Sequence, residues 1–170
     1  DIPLAGVYLQ ADLKLSSRFD INTGIRASAF FTYPHTYYAI EPRMALSYKI
    51  NSTSHLRASF DYLTQFDHGL ILSEVGLDNI IGLPSVDDIK PAKSLNYALG
   101  FVTKQLDHRL IISGELFYKD QWNLQRLALD GKDNIVSDSI SELIAKNGTG
   151  YAYGLEFQLT YQADIFVFNS

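Results

Sequence analysis

The chain has 170 residues, 46% hydrophobic and 19% charged, with a net charge of −5 and no Cys. That length suits one domain with a sizeable core, and the missing Cys excludes a disulfide framework, a thiolate nucleophile and a Cys-based zinc site. Scattered rather than clustered Lys and Arg argue against a nucleic-acid partner, no run of about 20 apolar residues forms a transmembrane helix, and the opening DIPLAG lacks the n- and h-regions of a signal peptide.

The dominant period along the chain is two, the period of a strand. Val7 to Leu15 shows it with some noise, and the polar link Ser16-Ser17-Arg18 follows. Phe19, Ile21, Thr23, Ile25, Ala27, Ala29 and Phe31 then form an apolar register against Asp20, Asn22, Gly24, Arg26, Ser28 and Phe30. A short irregular link, Tyr33 to Tyr37, precedes the register Tyr38, Ile40, Pro42, Met44, Leu46, Tyr48, Ile50, opposed by Glu41, Arg43, Ser47 and Lys49. After the tight Asn51-Ser52-Thr53-Ser54, Leu56, Ala58, Phe60 and Tyr62 alternate with Arg57, Ser59 and Asp61.

A long link from Phe66 to Ala92 mixes Leu, Ile and Gly with Pro84, Asp87, Asp88 and Pro91, a composition suited to folding back over the lumen of a barrel rather than extending into water. Leu95, Tyr97, Leu99 and Phe101 resume the alternation, and Asp107-His108-Arg109 makes another tight link. A noisier strand runs from Leu110 to about Leu127. In the last long link, Ala128 to about Gly148, Ser139-Ile140-Ser141-Glu142 has capping-box spacing. It predicts a short helix from Ser139 to Lys146 that stops at Asn147-Gly148. Tyr151, Tyr153, Leu155, Phe157, Leu159 and Tyr161, against Glu156, Gln158, Thr160 and Gln162, give the cleanest strand. The closing Ile165 to Phe168 is too short to cross a membrane and reads as a strand cut short.

The expected fold is therefore all-β, an antiparallel up-and-down meander of about 7–8 long strands with a short helix in one loop. These strands exceed the usual globular mode of about 5 or 6 residues. Their polar registers carry Arg, Glu, Lys and Asp at mid-strand, while Tyr and Phe end the apolar registers. That is the chemistry of a transmembrane β-strand, with an apolar outer band and aromatics where the band meets water. Tight turns follow the first, third and fifth strands and longer links the second, fourth and sixth, the asymmetry of an outer-membrane barrel. Two other architectures suit the length: a complete small eight-stranded outer-membrane barrel with an adhesive or structural role, and a soluble β-module.

Several runs resemble the barrel of TonB-dependent receptors, the large outer-membrane importers. They are EPRMALSYKI from Glu41, ASFDYLTQFDHGL from Ala58, KPAKSLNYALGF from Lys90, ELFYKDQWNL from Glu115 and NGTGYAYGLEFQL from Asn147. The resemblance implies a 22-stranded barrel occluded by an N-terminal plug, of which residues 1–170 would be one section of wall, without plug or TonB box. It also implies transport of a scarce nutrient (iron chelate, vitamin or oligosaccharide) across the outer membrane. The implied partners are the lipid bilayer, a small nutrient ligand, and the plug and TonB of the full-length parent. Neither an enzyme nor a cofactor is implied.

No catalytic, cofactor or metal site can be assembled from the sequence. Asp87-Asp88 reads as a turn or an exposed tip. His35, His55, His68 and His108 are isolated. Gly148-Thr149-Gly150 precedes a strand, which excludes a phosphate-cradling loop, and the sequons at Asn51 and Asn147 read as chance. The polar registers place Arg26, Glu41, Arg43, Lys49, Arg57, Asp61, Glu115, Lys119 and Glu156 on the inward face. There they would pair across strands and anchor a plug. Arg43, Arg57 and Lys119, with His68 at the mouth of the long link and Trp122, are the candidates for lining a substrate path. Trp122 with Tyr118 fits a rim aromatic better than a sugar-stacking platform.

Overall fold

A computed structural model describes residues 2–72, 79–86, 89–106, 109–127 and 144–162. Nine strands are formed: β1 (Leu4–Lys14), β2 (Phe19–Phe31), β3 (Thr36–Lys49), β4 (Ser54–Gln65), β5 (Asp67–Leu72), β6 (Asn79–Pro84), β7 (Ala92–Gln105), β8 (Leu110–Leu127) and β9 (Ile144–Tyr161). Seven of them make one antiparallel sheet in the order β1-β2-β3-β4-β7-β8-β9, and β5 with β6 makes a separate two-stranded hairpin. Apart from that hairpin, every strand neighbours the one before it in sequence, as a meander requires. The two edges, β1 and β9, are not paired with each other, so the described sheet is an open wall and not a closed barrel.

The tight turns are built by their side chains. Ser16 Oγ accepts hydrogen bonds from the backbone N–H of Arg18 and Phe19 at 3.2 and 3.0 Å. Asn51 Oδ1 accepts from Thr53 and Ser54 N–H at 2.9 and 2.8 Å. Both are local side-chain caps that reverse a chain in few residues. The third turn is closed by Arg109 N–H donating to the Leu106 carbonyl at 3.0 Å, with Leu106 at φ 51°. These three turns share one rim. The opposite rim carries Thr32–His35, the β5–β6 hairpin, the end of β8 and the start of β9.

Cross-strand register settles which side chains share a face. Tyr8, Arg26 and Glu41 lie on one rung, and Leu9, Ile25 and Pro42 on the next. The outer face therefore carries Val7, Leu9, Ile25, Ile40, Leu99, Leu116 and Leu155, and much of it is open, Leu155 being 72% exposed. Tyr38, Tyr118 and Tyr151 end this band toward the long-link rim, and Phe19, Tyr48 and Tyr161 toward the turn rim. All nine charged residues expected inward share the other face. An apolar band left bare on one side of a one-layer sheet is the arrangement that lipid completes.

One expectation is corrected. Ile144, Ala145 and Lys146, expected to end a helix, are instead the first residues of β9, and Ile144 and Ala145 pair with Leu127 and Arg126. Asn147-Gly148 is no stop either. The ladder passes through it by register shifts around Leu124, with Asn147 and Asn123 in the left-handed region at φ 61° and 55°. Such bulges extend and bend a strand without ending it. The remainder of the expected helix, residues 139–143, lies outside the described residues, as do Asp87, Asp88, His108 and the closing Ile165 to Phe168.

Candidate functional site

The inner face of the wall holds the polar arrangement most able to meet a solute. Its upper part, toward the long-link rim, centres on Glu41, which is only 8% exposed. The β3–β4 ladder ends at the pair Arg43–Asp61, leaving the N–H of Thr64 without a backbone partner on that side. Glu41 Oε1 accepts from this N–H at 2.7 Å, while Glu41 Oε2 meets Arg26 Nε at 3.7 Å. One carboxylate thus replaces a missing ladder bond and holds a guanidinium, which is how a buried charge is made tolerable. Arg26–Glu41 is an ion pair that joins β2 to β3 across the inner face.

Arg43 behaves differently. It crosses β2 and donates from a guanidinium nitrogen to Gln10 Oε1 on β1 at 2.6 Å. The residue beneath that crossing is Gly24, where an added Cβ would sit 3.0 Å from Arg43 Nε and 3.1 Å from the Leu9 carbonyl oxygen. Only a residue without a side chain leaves this path open. Further along, Asn96 donates to Asp61 Oδ1 at 2.7 Å, and Ser94 Oγ donates to Asn96 Oδ1 at 2.8 Å. Lys119 follows Asn96 on the same rung and lines a hollow with Arg26, Glu41, Gln65 and Gln121. A larger groove of about 660 Å³ lies toward the turn rim, lined by Asp12, Asp20, Ser47, Arg57 and Glu115 among others. Glu115 and Glu156 are directly opposite each other across β8 and β9, two like charges on one rung.

Above the wall sits the β5–β6 hairpin, whose root turns inward. Phe66 stacks on Phe30 of β2 with ring centroids 5.1 Å apart and packs with Ala39 and Tyr37 of β3, all on the inner face. On the far side, Asn123 and Gln125 of β8 donate to the carbonyls of Pro91 and Lys90 at 3.0 and 3.4 Å. The link from Phe66 to Ala92 therefore folds over the inner face, tied at both ends. Within its root His68, 6% exposed, places Nε2 3.0 Å from Oγ of the wholly buried Ser85. Burial holds the His68 pKa below its ordinary value, against the opposing pull of Asp67 and of a hydrogen bond to the Lys90 carbonyl.

The structure gathers Arg43, Arg57 and Lys119 on the inner face. It sets His68 above them inside the hairpin root, and it puts Trp122 on the outer face, opposite Lys93. Sequence reasoning missed the roles of Gln10, Gly24, Phe66 and Ser85. The hairpin had a legible signal in the two apolar runs Gly69-Leu70-Ile71-Leu72 and Ile80-Ile81-Gly82-Leu83 inside one link. No group of three or more His, Asp or Glu able to hold a metal ion is found among the described residues.

A family model for the TonB-dependent receptor-like β-barrel matches residues 3–170. The chain belongs to that family. Its members are outer-membrane receptors and transporters, not enzymes. No curated protein matches the sequence. Solved structures with the same fold include the alcaligin outer-membrane receptor FauA of Bordetella pertussis, at 22% identity and a TM-score of 0.60 over 94% of this chain and 27% of that one. The pyoverdine-bound FpvA of P. aeruginosa matches at 15% identity and a TM-score of 0.63, over 95% of this chain and 21% of that one. The ferric-catecholate import receptor Fiu of E. coli K12 matches at 14% identity and a TM-score of 0.63, over 95% and 26%. This TonB-dependent receptor chain thus spans about a quarter of the length of the solved receptors.

Proposed function

We propose that this chain is a stretch of wall in a 22-stranded outer-membrane receptor, with its tight turns facing the periplasm and its long links facing the exterior. The receptor takes up a scarce small nutrient, with a ferric chelate as the leading class. The observation that carries the reading is the two-faced wall: seven meandering strands with a bare apolar band outside and a hydrogen-bonded charged lining inside. The chelate class is supported by structural neighbours whose names describe an alcaligin receptor, a ferric-catecholate import receptor and a siderophore receptor. In this reading the inner wall around Arg43, Arg57 and Lys119 borders the path of the ligand, the plug of the parent fills the lumen, and TonB supplies energy from the inner membrane. Trp122 belongs to the outer aromatic rim.

The test is deletion of the gene for the full-length parent, followed by uptake of radiolabelled iron from a panel of ferric siderophores. Loss of uptake from at least one chelate, restored by the intact gene, is the expected result. If iron uptake is unchanged while uptake of cobalamin or an oligosaccharide falls, the chelate assignment is wrong and import stands. If no uptake changes, and the protein extracted from the outer membrane has the intact mass of a small barrel, the importer reading is overturned.

A further inference from the structure

We propose that the root of the β5–β6 hairpin is an acid-sensitive latch, in which the buried His68–Ser85 pair holds the hairpin folded over the inner face at neutral pH and releases it when the medium acidifies. The proposal concerns the loop of this chain and is independent of which nutrient the parent carries.

The geometry that carries it is a closed set of hydrogen bonds around one imidazole. His68 Nε2 lies 3.0 Å from the Ser85 hydroxyl oxygen, and the Lys90 backbone adds a second hydrogen bond to the ring. A neutral ring offers one donor and one acceptor, a pair that a hydroxyl and a backbone carbonyl can match. Protonation makes both ring nitrogens donors, so the one facing Ser85 can no longer accept from its hydroxyl. The charged ring must then be held in a root where Ser85 is 0% exposed, away from the solvent that would stabilise it.

Among the described residues, little offsets a positive ring. β6 and the segment after it contribute Leu83, Val86 and Ile89, which form a small apolar cluster around the root. Asp67, the neighbour in β5, attracts a positive ring, and its attraction is outweighed by burial. Lys90 reaches the ring through its backbone, its side chain being exposed. On the β8 side the ties to Pro91 and Lys90 come from the uncharged Asn123 and Gln125, and Arg126 is exposed.

The direction follows from linkage. A histidine whose pKa is lower in the folded root than in the opened one binds more protons when open. The closed root is thus favoured above the ordinary histidine value of 6.5. It loses stability as pH falls through that value, and the loss levels off below the lowered pKa. The part that yields is local. His68 is paired with Leu83 in the hairpin and belongs to no ladder of the seven-stranded wall.

The experiment is hydrogen–deuterium exchange of the full-length parent in lipid, followed by mass spectrometry at pH 7.5 and pH 5, with each rate normalised to that of the unstructured peptide at the same pH. Peptides from 66–86 are compared with wall peptides from 110–121. The expected result is a several-fold rise in normalised exchange of 66–86 at the lower pH, with no change in the wall. H68Q keeps a hydrogen-bonding side chain without a titrating ring and is expected to abolish that rise. S85A, which removes the buried hydroxyl, is expected to raise exchange of 66–86 already at pH 7.5. Equal normalised exchange of 66–86 at both pH values overturns the proposal, as does an acid response that survives in H68Q.

Discussion

The wall and the hairpin above it are stabilised in opposite ways. The wall is held by long backbone ladders and leaves its apolar side chains bare: Val7, Leu9, Leu155 and Phe157 are all at least 70% exposed. The hairpin has short ladders, yet the segment that follows it holds the most buried of the described residues, Ser85 and Ile89 at 0 and 4% exposure. A one-layer sheet cannot bury both faces by itself, and in the proposed reading lipid covers its apolar band. In that reading the hairpin stands outside the lipid and has to make its own small core. The two regions should therefore respond to different insults.

Four substitutions sharpen that contrast, taken from the largest effect to the smallest. Phe66→Ala removes the stacked ring that docks the hairpin on Phe30 and Ala39, a change worth about 3–5 kcal/mol for a buried Phe. The cost should appear as loss of exchange protection in residues 66–86, while membrane insertion of the parent stays normal. Leu155→Arg does the reverse. It puts a cation in the outer band and should cost about 2–4 kcal/mol in vesicle-folding measurements if it lies near mid-membrane, with the hairpin unaffected once folded.

Gly154→Ala sets a methyl group 2.7 Å from two ring carbons of Phe117, and the ring must move or the strands must part. An overpacking cost of about 1–3 kcal/mol is expected in the same measurement, relieved by a second change, Phe117→Leu. Glu156→Gln is the mildest. It removes one of two carboxylates facing each other on the inner rung and should shift folding by less than about 0.5 kcal/mol, toward greater stability if anything. Equal defects for Leu155→Arg and Glu156→Gln would remove the basis for assigning the two faces.

How much of this was legible in the sequence depended on how far each segment obeyed a single period. β2, β3 and β9 alternate cleanly, and their faces were readable residue by residue. β1 was noisy because Tyr8, an aromatic, lies on the inner face beside Arg26. β8 was noisy for three physical reasons: Phe117 faces inward, Asp120 falls in the outer register, and the strand bulges beyond Gln121. The segment before Gly148 misled because capping-box spacing is a local signal. In β9 tertiary pairing with β8 prevails over it at Ile144 and Ala145.

The inner charges were correctly placed on one face, but their partners were not readable. Arg43 opposes Asp61 in register and yet bonds Gln10 two strands away, through a gap left by Gly24. His68 was visible as a histidine at a loop mouth. Its partner Ser85 lies 17 residues later, beyond the reach of any motif spacing.

The crossing of Arg43 over Gly24 has a mechanical meaning. A ladder of backbone bonds is indifferent to sequence, and neighbouring strands can in principle slide by two residues and find equally good bonds with every side chain still on its proper face. A tie spanning β3, β2 and β1 is not indifferent. It closes only when Gln10, Gly24 and Arg43 fall in line, and a slide of two residues puts Asn22 or Arg26 where the gap must be. The brace therefore works as a key for alignment, telling three strands which of several acceptable offsets is the right one while the wall assembles.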